Sequence, residues 1–348
     1  MSEFRMPSLG ADMEAGTLVA WRKGPGDPLV KGDTIAEVDT DKGVIDVEVF
    51  RPGVLEEILV AAGAKVPVGT PLARIRDQPG EPDQHPRPGP LENGRSEEEA
   101  EPLVEPDRGV GVEPAPPAAG RPVSSGPAAD RMRRSIAAAM TRSNREIPHY
   151  HLWTTIDLNR ATTWLAAVNA RRAVDGRLLP GVLLLKATAL ALEELPEFSA
   201  VWEGDRVVLR QPAELGLAIS LRGGGLVVAA LHDTRVGSLD ELMAGLRDLT
   251  ARARTGRLKS SELTDSTITV TSLGDRGVEA VLGVIYPPQV ALVGFGRINE
   301  RPWVVDGQIV ARPVVTASLT ADHRASDGHR GGLFLAAIDR LLQQPEQL

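Results

Sequence analysis

The chain has no cysteine in its 348 residues. That absence excludes a disulfide framework, thiolate metal sites and a thiol nucleophile supplied by the protein. Long hydrophobic runs are missing too. The longest apolar stretch, Val182 to Leu195, is interrupted by Lys186 and by Glu193-Glu194, which makes it too short and too charged to span a bilayer. No signal-peptide pattern follows Met1-Ser2-Glu3, so a soluble, cytoplasmic protein with no membrane association is expected. An excess of basic charge is also lacking. A net charge of -8 provides no broad positive surface for a nucleic-acid backbone, although residues 131–145 are locally rich in arginine, and nucleic acid is not an expected partner. The length exceeds that of a usual single core, so two domains are expected.

What is present divides into three parts. Residues 1–78 contain a quasi-repeat: Gly26-Asp27-Pro28-Leu29-Val30-Lys31-Gly32 is echoed by Gly63-Ala64-Lys65-Val66-Pro67-Val68-Gly69, with glycines and apolar positions recurring together. Short strand-like runs between glycines and prolines predict a small all-β unit of two similar halves. Within it, Ile35 to Val38 and Val44 to Val49 predict two strands of a hairpin whose turn carries Lys42 at or near its tip. A lysine there is ordinarily a solvated charge. From Gln78 to Pro127 proline is frequent, Glu97-Glu98-Glu99 is a charge run and large apolar residues are sparse, which predicts a disordered linker over 79–127. Such a segment tethers the two ordered parts or serves as an inert spacer, and its composition does not discriminate between these roles.

Residues 128–348 predict alternating α and β segments around one core. Asp130 is placed to cap a helix through Arg133 to Met140, a strand is expected at His151 to Asp157, and helices are expected near Asn159 to Arg172, Val182 to Leu195 and Leu239 to Arg254. Further strands are expected at Leu215 to Leu221, Leu226 to Leu231, Thr267 to Thr271 and Val290 to Gly294, with a hairpin turn at Asp306-Gly307. Near the end, the apolar run Val314 to Leu319 leads into Thr320-Ala321-Asp322-His323-Arg324-Ala325-Ser326-Asp327-Gly328. A helical pattern follows, with Leu333, Ala337 and Leu341 on one stripe and Phe334, Ile338 and Leu342 beside it. A histidine four residues before Asp-Gly joins a proton carrier to a carboxylate that can fix the local backbone, and equally reads as a turn histidine whose aspartate caps the next helix. His149 and His151 alternate on one strand face but lack a third ligand for a metal. Gly223-Gly224-Gly225 and Gly294-Phe295-Gly296 read as loop and strand-end features, His85 lies in the linker, and His232 and His329 suggest no role.

The first unit resembles the lipoyl domain of 2-oxo acid dehydrogenase complexes. It carries Asp39-Thr40-Asp41-Lys42-Gly43 where members of that family carry Glu-Thr-Asp-Lys-Ala. No methionine flanks Lys42, unlike the lysine of the related biotin carriers. The third unit resembles the dihydrolipoamide acyltransferase catalytic domain. The matching residues are Ile136 to Met140, Ile147-Pro148-His149, Gly225 to Val228, Thr269 to Gly274, Pro287-Pro288-Gln289, Asp322-His323-Arg324 and Asp327-Gly328, in family order. The resemblance implies a multidomain chain: a lipoyl/biotinyl-type flattened β-barrel, the Pro-rich linker, and an α/β domain like chloramphenicol acetyltransferase over 128–348.

It also implies an acyltransferase that moves an acyl group, by default acetyl, between lipoate on Lys42 and coenzyme A. The cysteine-free chain would thus obtain its thiol from lipoate. His323 would be the general base, Thr271 the hydroxyl donor to the tetrahedral oxyanion, and Asp327 the residue that holds the loop. A thiol titrating near about 8.5 and a histidine near about 6.5 suit that proton transfer. The implied partners are a thiamine-dependent 2-oxo acid decarboxylase and dihydrolipoyl dehydrogenase, and the implied assembly is a homotrimer within a larger complex. Several residues depart from the pattern: Ala229-Ala230 follow Val228 where proline is frequent, Tyr286 precedes Pro-Pro-Gln in place of asparagine, and the C-terminal tail is short. The small subunit-binding domain of the family finds too few aliphatic residues in Leu91 to Val123 to form. The alternative is a non-catalytic lipoyl carrier and scaffold, which would have no need of His323, Asp327 and Thr271.

Overall fold

The computed structural model describes residues 2–9, 13–40, 43–77, 127–221, 225–274 and 277–348. The linker with His85, Lys42 itself, and Gly223-Gly224 lie outside the described residues.

The first unit has eight strands: β1 (Ser2–Arg5), β2 (Ala15–Trp21), β3 (Pro28–Leu29), β4 (Thr34–Thr40), β5 (Gly43–Glu48), β6 (Gly53–Ile58), β7 (Lys65–Pro67) and β8 (Pro71–Asp77). They form two four-stranded sheets, in the orders β1-β8-β6-β3 and β5-β4-β2-β7. The quasi-repeat is a repeat of backbone geometry. Gly26 and Gly63 have φ of 96° and 90°, and Gly32 and Gly69 have 89° and 85°, a region that side chains strongly disfavour. Equivalent bonds follow, with the Gly26 and Gly63 N–H groups donating to Leu55 and Leu18 and those of Gly32 and Gly69 donating to Val49 and Met6. Leu18, Ile35, Val38, Leu55 and Leu72 fill the space between the sheets without solvent contact. Each such side chain contributes about 2 kcal/mol on burial.

The remainder contains helices α1 (Pro127–Glu146), α2 (Asn159–Asn169), α3 (Pro180–Glu194), α4 (Leu239–Thr255), α5 (Ser260–Thr264) and α6 (Gly328–Leu342). Its strands are β9 (His149–Asp157), β10 (Ala200–Glu203), β11 (Arg206–Leu209), β12 (Leu215–Ser220), β13 (Leu226–Leu231), β14 (Ile268–Ser272), β15 (Ala291–Phe295), β16 (Asn299–Val305) and β17 (Gln308–Asp322). Seven strands form a mixed sheet in the order β13-β12-β14-β15-β17-β16, with β9 on β17. The 15-residue β17 is its longest strand. Val314 pairs with both Asn299 and Asp157, so β16 and β9 flank opposite sides of it. Alternation along β17 sends Val315, Ala317, Leu319 and Ala321 into the main core, which also holds α3 and α6 residues, and sends Ser318, Thr320 and Asp322 to the other face.

Local chemistry explains the element ends. The Ser238 hydroxyl accepts from the Glu241 N–H while the Glu241 carboxylate accepts from the Ser238 N–H, and Gly256 closes α4 at φ 71°. Three sequence expectations shift. Helix α1 starts at Pro127, whose missing N–H costs nothing in a first turn, so Asp130 lies inside the helix and is not its cap. Strand β9 begins at His149, two residues early, because its pairing with β17 continues to Asp322. On α6 the core stripe is Phe334, Ile338 and Leu342, all inaccessible, whereas Leu333 is 43 % exposed. Phe334 sets that rotation by stacking on Phe198 with ring centroids 4.7 Å apart.

Candidate active site

His323 follows the last residue of β17, where the chain turns toward α6. Its N–H donates to the Pro148 carbonyl at 3.0 Å, which anchors the turn to the start of β9. The Ala325 and Ser326 amides donate back to the Asp322 carbonyl, closing a tight turn. The imidazole is on an exposed residue, and its ring meets that of Tyr150 edge to face with centroids 5.2 Å apart. The Tyr150 hydroxyl and the Ser326 hydroxyl share a hydrogen bond of 2.8 Å. Tyr150 therefore braces both the ring and the turn. Strand alternation could have marked it as the residue between His149 and His151 on the opposite face, but only the packing of α6 brings it beneath the histidine.

The two nearby carboxylates are already engaged. Asp322, with no solvent exposure, accepts the Arg324 N–H at 2.9 Å and the guanidinium at 2.7 to 3.1 Å. The Arg324 guanidinium in turn lies 4.1 Å from the centre of the Trp202 ring. Asp327 caps α6, accepting the Arg330 N–H at 2.9 Å. That bond, reinforced by the helix start and the nearby histidines, holds the Asp327 carboxyl below the usual carboxylate range. The capping reading of the His-x-x-x-Asp-Gly motif describes this turn. The aspartate caps the helix, and the histidine is presented with neither carboxylate bonded to its ring.

Thr271 is on the same sheet but remote within the chain. It pairs with Gly294, which pairs with Ser318. His323 lies five residues beyond Ser318, about 17 Å along the strand, with two strand spacings of about 4.8 Å to the side. The structure therefore brings His323 and Asp327 into one turn and does not bring Thr271 to them within one chain. Leu273, two residues beyond Thr271, is exposed, as are Val278 and Leu282 in the segment that follows and Trp153, three strands over in the same register row.

His149 has a different task. Its Nδ1 bonds the Ile147 carbonyl at 2.9 Å and its Nε2 accepts the Ile285 N–H at 3.3 Å, while Ser143 donates to the Ile285 carbonyl at 2.6 Å. Burial pushes the His149 ring below the usual histidine range, which suits a neutral ring that pins the segment before Pro287-Pro288 to the sheet. His151 bonds Thr320 at 2.9 Å. Among the described residues no group of three His, Asp or Glu is placed to hold a metal ion, and no helix is long and apolar enough to cross a membrane.

Residues 127–348 match the family model described as 2-oxoacid dehydrogenases acyltransferase (catalytic domain), and residues 2–75 match the one described as Biotin-requiring enzyme. The dihydrolipoyllysine-residue acetyltransferase component of the pyruvate dehydrogenase complex of Zymomonas mobilis is 26% identical, over 99% of this chain and 98% of its own length. Its counterpart in Staphylococcus aureus is 27% identical over the same shares. The Zymomonas alignment runs over 432 positions, so that relative holds residues with no counterpart in the 348 of this chain. Among solved structures, a probable dihydrolipoamide acetyltransferase from Listeria monocytogenes is 29% identical, with a TM-score of 0.58 over 61% of this chain and 92% of that one. The dihydrolipoamide acetyltransferase of Azotobacter vinelandii is 25% identical, with a TM-score of 0.60 over 68% and 99%. In that protein a serine, a histidine and an asparagine have been investigated for a catalytic role, and they have the same spacing that Thr271, His323 and Asp327 have here.

Proposed function

Because this chain belongs to the family of 2-oxoacid dehydrogenase acyltransferases, we propose that it is the lipoate-bearing acyltransferase of a pyruvate dehydrogenase-type complex, moving an acetyl group between a lipoyl arm and coenzyme A. The observation that carries this reading is the His323 turn, rigidly fixed and presenting an exposed imidazole whose neighbouring carboxylates are bonded elsewhere.

Lipoate would be held on Lys42, between Thr40 and Gly43, whose pairing joins β4 to β5. A hairpin carried by strands of seven and six residues is a firm base for an attached arm. When bound, the group supplies the thiol that carries the acyl unit as a thioester. His323 would accept the thiol proton of coenzyme A on a ring nitrogen and would give that proton up to the departing thiol. Asp322, Asp327 and Tyr150 keep the ring in place. Thr271 of a second copy donates its hydroxyl to the carbonyl oxygen as negative charge develops there, a bond whose loss costs on the order of 100-fold in rate. The separation of Thr271 from His323 in one chain and the exposed apolar residues near Thr271 support a site shared between copies, as in a homotrimer. The chain would act beside a thiamine-dependent decarboxylase and dihydrolipoyl dehydrogenase, in the cytoplasm.

The deciding experiment is a coenzyme A acyl-transfer assay with dihydrolipoamide and acetyl, succinyl and isobutyryl donors. Preferred turnover of acetyl is expected, and absence of turnover with all three would favour a carrier and scaffold instead. Lys42→Arg should abolish lipoylation. Assemblies refolded from a mixture of His323→Ala and Thr271→Ala chains should regain a measurable part of the activity that each lacks alone. No recovery on mixing would refute the shared site.

A further inference from the structure

The outward face of β5 is covered where its pattern calls for solvent. Ile45, Val47 and Val49 belong to the core of the carrier unit, so Val44, Asp46 and Glu48 belong to the opposite face. Val44 is 40 % exposed, yet Glu48 is only 4 % exposed. The residues that cover it belong to the acyltransferase unit. The Asp46 N–H donates to the Leu258 carbonyl at 3.2 Å, and Asp46 bridges Lys259 in the parallel sense. The Glu48 N–H donates to the Ser260 hydroxyl at 3.1 Å, while the Glu48 carboxylate accepts from Lys259 Nζ at 3.2 Å and from the Ser261 hydroxyl. β5 is the free edge of its sheet, and residues 258–260 meet it as an added strand would.

The surface offered to β5 is itself rigid. Glu262, 5 % exposed, takes two bonds from the Arg252 guanidinium, at 2.5 and 2.6 Å, which ties α5 to α4. Leu263 packs against both hydrophobic cores. Ser260 is 1 % exposed and joins no hydrophobic cluster, so its hydroxyl is aligned on β5 with little freedom to turn elsewhere.

We propose that the 258–263 corner is a docking site for the β5 edge of the carrier unit, and that the carrier occupies it between transfers. The proposal rests on the reading of Lys42 as the carrier lysine. One ion pair, a few hydrogen bonds and a shared leucine are too little to hold two separate proteins against the loss of translational freedom. Within one chain, at an effective concentration that reaches roughly millimolar, the same contacts suffice for a reversible dock. β5 begins at Gly43, next to Lys42, so the strand that docks is also one of the two that bear the arm. The carrier must leave this corner before its hairpin can reorient toward another site.

Amide hydrogen exchange at Asp46 and Glu48 in the full-length protein tests this. Both amides should exchange slowly in the unaltered chain. Lys259→Glu, which changes a partly exposed residue outside the carrier unit, should speed them by about tenfold or more while amides of the Leu18 and Leu55 strands stay protected. Glu48→Lys should do the same, and the combined charge reversal should restore protection. Turnover of free dihydrolipoamide, which does not use the carrier, should be unchanged in Lys259→Glu. Exchange at Asp46 and Glu48 that is fast in the unaltered chain, unmoved by Lys259→Glu, or not restored by the combined reversal would overturn the dock. Neither amide depends on lipoylation, so a Lys42→Arg chain that still gains lipoate would overturn the carrier reading while leaving the exchange result to stand on its own.

Discussion

His323 and His232 both lie near carboxylates, and the two regions dispose of them in opposite ways. At the end of β17, Asp322 is committed to Arg324 and Asp327 to the first turn of α6, and the ring of His323 faces outward. At the end of β13, His232 is bonded through Nε2 to Asp265 at 3.2 Å, and this bond holds the ring above the usual histidine range. Glu214, on the neighbouring strand end, is pushed up by burial to about 7, and its Oε2 has no hydrogen-bond partner. His323, the base of the proposed reaction, is set in a turn whose carboxylates are bonded to other groups. His232 instead bonds directly to Asp265, which also accepts from the Thr264 hydroxyl. The second region joins its titratable groups to one another, whereas the first presents an imidazole with no carboxylate bonded to it.

The largest break in this contrast is His323→Ala, which should lower kcat by about 10³-fold while leaving the thermal midpoint near that of the unaltered chain. Activity within a few-fold of normal would remove His323 from the mechanism. Arg324→Ala should come next. It leaves Asp322 buried without its partner, at about 2–3 kcal/mol after allowance for the partial exposure of the arginine, read as a lower urea midpoint together with lost activity.

A smaller effect sharpens the other side. The folded pKa of Glu214 lies above its unfolded value, so the native state binds the extra proton, and its contribution to stability is full below about 4.5 and lost as pH rises through about 7. His232 is also raised and acts in the same sense at higher pH. Glu214→Gln should therefore reduce the fall in stability between pH 5 and 8, making the variant about 1 kcal/mol more stable than the parent at pH 8. Parallel urea curves for the two proteins at both pH values would contradict this. Tyr150→Phe should have the least effect, a loss of activity of a few-fold, because the ring against His323 remains and only the bond to Ser326 goes. Tyr150→Ala should cost more than Tyr150→Phe if the ring is what positions the imidazole.

Much of this was legible in local sequence. The paired glycines declared the two-fold architecture of the carrier unit because left-handed backbone needs glycine at each recurrence. The His323 turn was legible because an apolar strand, Asp-Gly and a helical pattern follow one another without interruption. Leu333 and Phe334 show where such reasoning fails. Both stripes of α6 satisfy helical spacing, and only the Phe198 ring decides which one faces inward. Asp130 failed for a local reason, since Pro127 competes to start the helix. The cover on Glu48 comes from residues more than 200 positions away, and nothing in the alternation of β5 marks it. The separation of Thr271 from His323 needed the sheet register, which no motif encodes.

The matching halves of the carrier unit bear on its mechanics. β4 and β8 are each seven residues long and occupy equivalent places in the repeat. Beyond Thr40 comes Lys42, the lysine proposed to carry lipoate, and beyond Asp77 the chain continues toward α1. Thr17 pairs with both Asp39 and Lys65, so the far end of β4 lies two strands from β7, which leads into the near end of β8, and Asp77 sits a full strand beyond that end, roughly 20 Å. If Lys42 bears the arm as proposed, load and leash are fixed to opposite poles of one small body. A cleft that the arm enters is thus met by the pole opposite Asp77, and the length of the body adds to the reach.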